Sequence, residues 1–242
     1  MSELGLTFLL AVVAFVYAMV GHGGASGYLA VMSIVGIPQE TMRPSALLLN
    51  LCVSGISFAQ FARAGHFRWR VFWPFALLSA PLAFVGAGIS LDDAWYKHIL
   101  GACLIVASLR LLGFFAPRSA STRHAPVVLA MLIGGAIGLL SGMLGIGGGV
   151  LLSPVLLLCS WADAKTTAAT SALFIFTNSI TGLLGLHWSP STFPPHAWAW
   201  CIAAISGGLL GSWVGAYRAP EPRLRQALGI VLFLASIKLA WP

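Results

Sequence analysis

Residues Met19–Gly24 read Met-Val-Gly-His-Gly-Gly, and residues Met143–Gly148 read Met-Leu-Gly-Ile-Gly-Gly. Each cluster follows a long apolar stretch and precedes a short one, over 25–36 and 148–159. About twelve apolar residues are too few to cross the roughly 30 Å of membrane hydrocarbon as a helix. Each glycine cluster therefore predicts a helical hairpin that is broken inside a membrane.

The composition supports a membrane protein. Hydrophobic residues make up 59% of the 242 residues and charged residues only 8%, with a mean hydropathy of +0.93. A soluble domain has about a quarter of its residues charged, so this chain could not cover a water-facing surface. The predicted apolar segments are 4–20, 25–36, 44–62, 71–90, 95–113, 126–142, 148–159, 166–186, 197–217 and 224–241.

The order of these segments, long, short, long, long, long, occurs twice. The glycine clusters are 124 residues apart, and Ser45-Ala-Leu47 matches Ser171-Ala-Leu173 at an offset of 126. An ordered series of matches indicates duplication. The sequence thus predicts an all-α polytopic membrane protein with repeats at 1–115 and 126–242, joined by a cytoplasmic linker at 116–125.

Loop charges predict that the second repeat is inverted. Basic residues concentrate in 62–70, 110–124 and 218–225, whereas 187–197 contains no lysine or arginine. Cytoplasmic loops carry the excess of basic residues, which places 187–197 outside while its repeat partner 62–70 is inside. Five segments per half is an odd number and gives the same inversion. We expect a bacterial cytoplasmic (inner) membrane protein with both termini periplasmic.

Small residues recur four positions apart on several helices, at a spacing that lets helix backbones approach closely in lipid. These residues are Ala14 and Ala18; Ser79, Ala83 and Ala87; Gly134, Gly138 and Gly142; Gly207, Gly211 and Gly215. They predict close helix pairs in the bundle.

Inverted repeats in transporters place the substrate near the bilayer midplane, at the ends of broken helices. The free N–H groups at the start of each short helix could bind an anion there. The predicted substrate-binding residues are Gly21, His22, Gly23, Gly24, Ala25, Ser26, Asn50, Gly145, Gly147, Gly148, Gly149, Ser171 and Asn178. The alternative reading is that these glycines serve close packing or a hinge.

Other roles stay open for the polar candidates. His22 could contact an anion, couple transport to protons, or bond the backbone freed by the break. Asn50 and Asn178 could donate to an anion or to a neighbouring helix. Arg43 and Lys165 could attract anions at two vestibules or anchor helix ends at the headgroups.

The acidic residues favour an anion as substrate. All six lie at termini, loops or helix ends, whereas cation carriers often depend on carboxylates within the membrane. No nucleophile–base pair or metal-ligand spacing points to an enzyme or to a cofactor. The basic residues sit in short loops, as orientation signals do, so nucleic-acid binding is not expected. The bilayer and a small anion are the expected partners, and a homo-oligomer is left open.

The chain resembles the sulfite exporter TauE/SafE family. The likeness rests on Gly142-Met-Leu-Gly-Ile-Gly-Gly-Gly149, Pro154 and Ala169-Thr-Ser-Ala172, with weaker echoes at Gly21-His-Gly-Gly24 and Pro44-Ser-Ala46. The resemblance implies export of a sulfur-containing anion, sulfite or a small organosulfonate, across the cytoplasmic membrane. We expect alternating access at the midplane site; an anion channel with the glycine turns as its filter is the alternative.

Overall fold

The computed structural model describes residues 3–89, 125–187 and 197–218, with single positions between 92 and 123 and between 226 and 236. Within these residues every regular element is a helix. They are α1 (Glu3–Ala18), α2 (Ala25–Ile34), α3 (Gln39–Arg63), α4 (Trp69–Ala87), α5 (Val127–Leu144), α6 (Gly149–Leu158), α7 (Ala164–Gly185) and α8 (Ala197–Trp213), the last continued by a π-helical turn, Val214–Arg218. Most of the predicted segments 95–113 and 224–241 lies outside the described residues.

Five of the described helices are long and apolar enough to cross a membrane: α3, α4, α5, α7 and α8 with its π-helical turn. By contrast, α2 and α6 have ten residues each. At 1.5 Å per residue they are about 15 Å long, half of the hydrocarbon thickness. The prediction of short helices after the glycine clusters is confirmed, as is the all-helical polytopic class.

Large apolar side chains cover the outside of the bundle. Val128, Leu132 and Ile202 are 62% to 71% exposed, and Leu77 and Leu210 are more than half exposed. Apolar patches of this kind would be an aggregation hazard in water. In lipid they are the expected outer surface.

Glycine stripes bring two pairs of helices into backbone contact. A Cβ on Gly134, Gly138 or Gly142 of α5 would overlap the backbone of α4. The same holds for Gly207 and Gly211 of α8 against α1. Close pairing through small residues was predicted from their spacing and is confirmed for α4–α5 and α1–α8.

The two helix pairs flank a centre made by α3 and α7. These two helices pack against each other, while α3 also contacts α8 and α7 also contacts α4. The short helix α2 lies against α3, and α6 lies against α7. Both helix breaks are therefore held beside the central pair.

Candidate functional site

The first break, residues 19–24, turns the chain between α1 and α2. Gly21 and Gly24 have φ of +76° and +99°, a region that residues with a Cβ adopt at a cost. A Cβ on Gly21 would also overlap the backbone of Ala168 in α7. Gly21–Ser26 are all buried, so this segment passes through the bundle interior at a point with little room for side chains.

The second break joins α5 to α6 and has the same backbone character. Gly145, Gly147 and Gly148 have φ between +72° and +78°. A Cβ built on Gly147 would lie 2.5 Å from Asn50 Nδ2 and 2.9 Å from Ile175. Three glycines with positive φ therefore let the chain reverse direction while its backbone stays in contact with α3 and α7.

Asn50 of α3 joins the two breaks through one amide. Its Oδ1 accepts a hydrogen bond from the Ala25 backbone N–H at 2.9 Å. Its Nδ2 donates to the Ile146 carbonyl at 3.3 Å. The expectation that the N–H groups starting α2 are all free is thus wrong for Ala25, whose N–H is taken by this buried amide.

His22 connects the first break to α6. Its Nδ1 lies 3.1 Å from the Val20 carbonyl, and its Nε2 lies 3.1 Å from the Gly149 carbonyl. Ser153 Oγ lies 3.0 Å from Nε2 and 2.8 Å from Ser171 Oγ. A neutral imidazole has one N–H and can donate to only one of the two carbonyls, whereas an imidazolium donates to both. The chain His22–Ser153–Ser171 links the first break, α6 and α7.

Asn178 of α7 lies beside the second break. Ser79 of α4 donates to Asn178 Oδ1 at 3.0 Å, and Asn178 Nδ2 reaches the Gly147 carbonyl at 3.5 Å. A Cβ built on Gly148 would be 3.2 Å from the same nitrogen. Asn178 therefore ties the second break to α4, although its bond to Gly147 is long.

Ser26, at the start of α2, has its partner on α1. Its hydroxyl donates to the Tyr17 hydroxyl at 3.0 Å, and both side chains are fully buried. The Tyr28 hydroxyl is also buried and has no hydrogen-bond partner within the described part of the chain. The α1–α2 side of the site thus carries two phenol groups that sequence reasoning missed.

Several further hydroxyls of α3, α5 and α7 are buried without a hydrogen-bond partner among the described residues. They are Ser45, Ser54 and Ser57 on α3, Ser141 on α5, and Thr167, Thr170 and Ser179 on α7. Burial of a hydroxyl without a partner costs free energy. The central helices therefore offer donors that a bound molecule could satisfy.

Arg43 and Lys165 bind backbone carbonyls. Arg43 is 8% exposed, and its Nη2 donates to the carbonyls of Ala87 at 3.2 Å and Gly142 at 3.0 Å. Lys165 Nζ donates to the Ala216 carbonyl at 3.3 Å. Ala87 ends α4 and Gly142 lies in the last turn of α5, so the guanidinium meets the negative ends of two helix dipoles.

The structure brings together the candidates of both breaks with Asn50, Ser171 and Asn178, and all of them are buried. Tyr17, Ser79 and Ser153 were not predicted. Ser153 lies four residues after Gly149, on the helix face that leads from the break, and this spacing could have revealed it. Ser79 carried no such signal beyond its place in a stripe of small residues.

Charged side chains are sparse among the buried residues that the structure describes. Among the described residues, no aspartate or glutamate is buried, whereas His22 and Arg43 are. The same part of the chain contains no group of histidine, cysteine, aspartate and glutamate side chains that could hold a metal ion. The polar lining consists of hydroxyls, amides, one imidazole and backbone groups.

A bundle of membrane-spanning helices with two buried breaks and a polar interior between them is the architecture of a membrane transporter. The model of the sulfite exporter TauE/SafE family matches residues 6–239. The chain therefore belongs to this family, whose members are multi-pass membrane transporters and not enzymes.

Curated relatives agree with this membership. A probable membrane transporter protein, y4hK, of Sinorhizobium fredii is 36% identical over 244 residues, covering 99% of both chains. A probable membrane transporter protein of Xylella fastidiosa is 25% identical, covering 95% of this chain and 91% of its own. No solved structure matches the chain significantly.

Proposed function

We propose that this protein exports a small sulfur-containing anion, sulfite or an organosulfonate, from the bacterial cytoplasm by alternating access. The observation that carries the proposal is the buried polar cluster that joins the two helix breaks. Asn50 contacts both breaks, and His22 reaches α6 from the first. The family description, sulfite exporter, supplies the substrate class.

The chemistry of this cluster suits an oxyanion. Sulfite and sulfonate oxygens accept hydrogen bonds, and the unpartnered hydroxyls on α3 and α7 are donors. A buried carboxylate would repel the anion, and none is found among the described residues. Ser153 and Ser171 would bind the anion from α6 and α7, His22 would bind it from the first break, and Asn50 would approach it from α3.

Alternating access requires two bodies that move against each other. We assign these to 1–115 and 126–242 as inverted repeats. The helix pairing supports the repeat relation between these halves, since α1 packs on α8 and α4 packs on α5. Each pair joins the first helix of one half to the last described helix of the other half: α1 with α8, and α5 with α4. A two-fold axis in the membrane plane that exchanges the halves would also exchange these two pairs.

Close packing at the glycine turns favours a carrier over a channel. Gly147 touches Asn50 and Ile175, and Gly21 touches the backbone of Ala168. A conducting filter would need its turns to face a continuous water path. Here both turns are enclosed, as expected of a carrier between its inward-open and outward-open states.

Proteoliposome flux tests the proposed substrate. The purified chain is reconstituted, loaded in turn with sulfite, sulfoacetate, thiosulfate or sulfate, and efflux is compared with protein-free liposomes. We expect sulfite or sulfoacetate to leave fastest. If none of the four leaves faster than from protein-free liposomes, the substrate assignment is wrong; single-channel currents would exclude alternating access.

The site is tested with Ser171→Ala, because leucine at the glycine turns would overlap neighbouring atoms. Loss of one hydrogen bond to a charged ligand costs about 1.5–3 kcal/mol, so transport should fall roughly tenfold to a hundredfold. Ser212→Ala is the matched control, since this buried serine bonds the Gly208 carbonyl of its own helix. Equal transport rates of the two variants would show that Ser171 does not bind the substrate.

A further inference from the structure

A surface cavity of about 670 Å³ lies where α4 and α5 begin. Three arginines and three tryptophans line it: Arg68, Arg70, Arg123, Trp69, Trp73 and Trp161. They come from separate parts of the chain, because Arg123 precedes α5 and Trp161 lies between α6 and α7. The Arg123 backbone N–H donates to the Ser160 carbonyl at 2.7 Å, which holds these two segments together.

The arginines do not stabilise the N-termini of α4 and α5, near which they lie. Positive charge at a helix N-terminus opposes the helix dipole. The N-cap residues of α4 and α5, Arg68 and Pro126, make no capping hydrogen bond through their side chains. Among the described residues, the one carboxylate paired to this group is Asp163, 3.9 Å from Arg68. The cavity therefore keeps a net positive charge that favours an anion.

Apolar surface continues from this cavity along the outside of α4 and α5. Trp73 and Leu77 follow on α4, and they are 36% and 54% exposed. Val128 and Leu132 follow on α5, at 71% and 62%. A small inorganic anion would contact the arginines alone. A molecule with acyl chains would contact both the arginines and the apolar surface of α4 and α5.

We propose that this cavity binds the headgroup of an anionic phospholipid, with its phosphate between Arg70 and Arg123. The acyl chains lie on the exposed apolar surface of α4 and α5. Basic pockets between helices on the cytoplasmic side of membranes bind anionic headgroups, and tryptophan side chains favour the headgroup level. Loop charges predict that this end of the bundle is cytoplasmic. This lipid site does not depend on the proposed transport substrate.

The test measures lipid retained by the full chain in non-ionic detergent, using native mass spectrometry. Phosphatidylglycerol and phosphatidylcholine with the same acyl chains are titrated separately. Each arginine near an anionic lipid surface contributes about fivefold to affinity. The Arg70→Gln/Arg123→Gln variant should therefore bind phosphatidylglycerol about thirtyfold more weakly, with binding of phosphatidylcholine unchanged.

Arg63→Gln is the matched control, because Arg63 ends α3 five residues before Arg68 and lines a different, smaller cavity. It should retain phosphatidylglycerol as the unmodified chain does. If the double variant does not fold, the single variants decide, each with an expected loss of about fivefold. Equal binding of the two lipids, retention by the variants, or displacement by equimolar inorganic phosphate would overturn the proposal.

Discussion

Gly147 meets two separate constraints, so its replacement by alanine should destabilise the protein strongly. Its φ of +72° costs a residue with a Cβ about 1–2 kcal/mol. The new Cβ would also lie 2.5 Å from Asn50 Nδ2, and overpacking adds about 1–3 kcal/mol. We expect a loss of about 2–5 kcal/mol, measured as the free energy of unfolding in detergent.

Gly36→Ala separates the two constraints. Gly36 has φ of +77°, but a Cβ there would meet nothing within 4 Å. Only the backbone cost applies, and it is partly offset because alanine reduces the entropy of the unfolded chain. The expected loss is about 1 kcal/mol or less. Equal losses at the two glycines would show that packing against Asn50 does not matter.

The sequence predicted the positions of both breaks, because glycine clusters and short apolar segments are local signals. His22 was predicted for the same reason. The bridge made by Asn50 was not predictable, since it depends on how α3 is placed against two segments far away in the chain. Ser79 was missed because a hydroxyl within an apolar helix has no local pattern that reveals its partner, whereas the spacing of Ser153 to Gly149 was a local signal that could have been used.

At the scale of elements, the α1–α8 pair depends on glycines that leave no space between backbones. A Cβ on Gly211 would overlap the backbone of Phe15, so Gly211→Ala must push the two helices apart. We expect a loss of about 1–3 kcal/mol, measured by unfolding in detergent.

Gly208→Ala on the same helix is the control for this pair. Its Cβ would approach only side-chain atoms of Val53, at 3.0 Å and beyond, and these can shift by a few tenths of an ångström. The loss should therefore be smaller than at Gly211. A larger loss at Gly208 would contradict the assignment of Gly211 to the helix contact.

Asp163 caps α7 outside the membrane-spanning part. Burial alone would raise the pKa of this carboxyl, but hydrogen bonds from the Thr166 N–H and hydroxyl and the charge of Arg68 outweigh burial and lower it. Because the folded pKa is below the unfolded one, the stabilisation is present above about pH 4 and decreases at lower pH. Asp163→Ala should cost about 1 kcal/mol at neutral pH.

The stability difference between Asp163→Ala and the unmodified chain should be smaller at an acidic pH than at neutral pH, because the stabilisation decreases as the pH falls below about 4. Asp163→Asn tests the cause, since asparagine also caps helices but does not titrate. Thermal unfolding at both pH values measures the difference. A difference that does not change with pH would show that the carboxylate is not the stabilising group.

The hydropathy of the sequence predicted these helices. The observed ends of α2 and α6 lie within two residues of the predicted ones. Which helices pair was not predictable from hydropathy alone. The stripes of small residues on α1, α4, α5 and α8 indicated that these helices make close contacts. They did not show which helix pairs with which, because a face of small residues can pack against any other such face.

At the scale of the whole molecule, the transport proposal predicts an electrical driving force. In this proposal the anion moves alone; among the described residues no carboxylate is buried. Moving one charge through 100 mV corresponds to about 2.3 kcal/mol, which is roughly a fiftyfold ratio of concentrations. Export would then be favoured by the inside-negative potential of the cell.

Efflux of sulfoacetate or sulfite from proteoliposomes should therefore accelerate when valinomycin and a potassium gradient set an inside-negative potential. Equal potassium on both sides with valinomycin present is the control without a potential. Efflux that ignores the potential and follows an imposed proton gradient would contradict export of the anion alone. That result would instead assign proton coupling to His22, because an imidazolium there can donate to the carbonyls of both Val20 and Gly149.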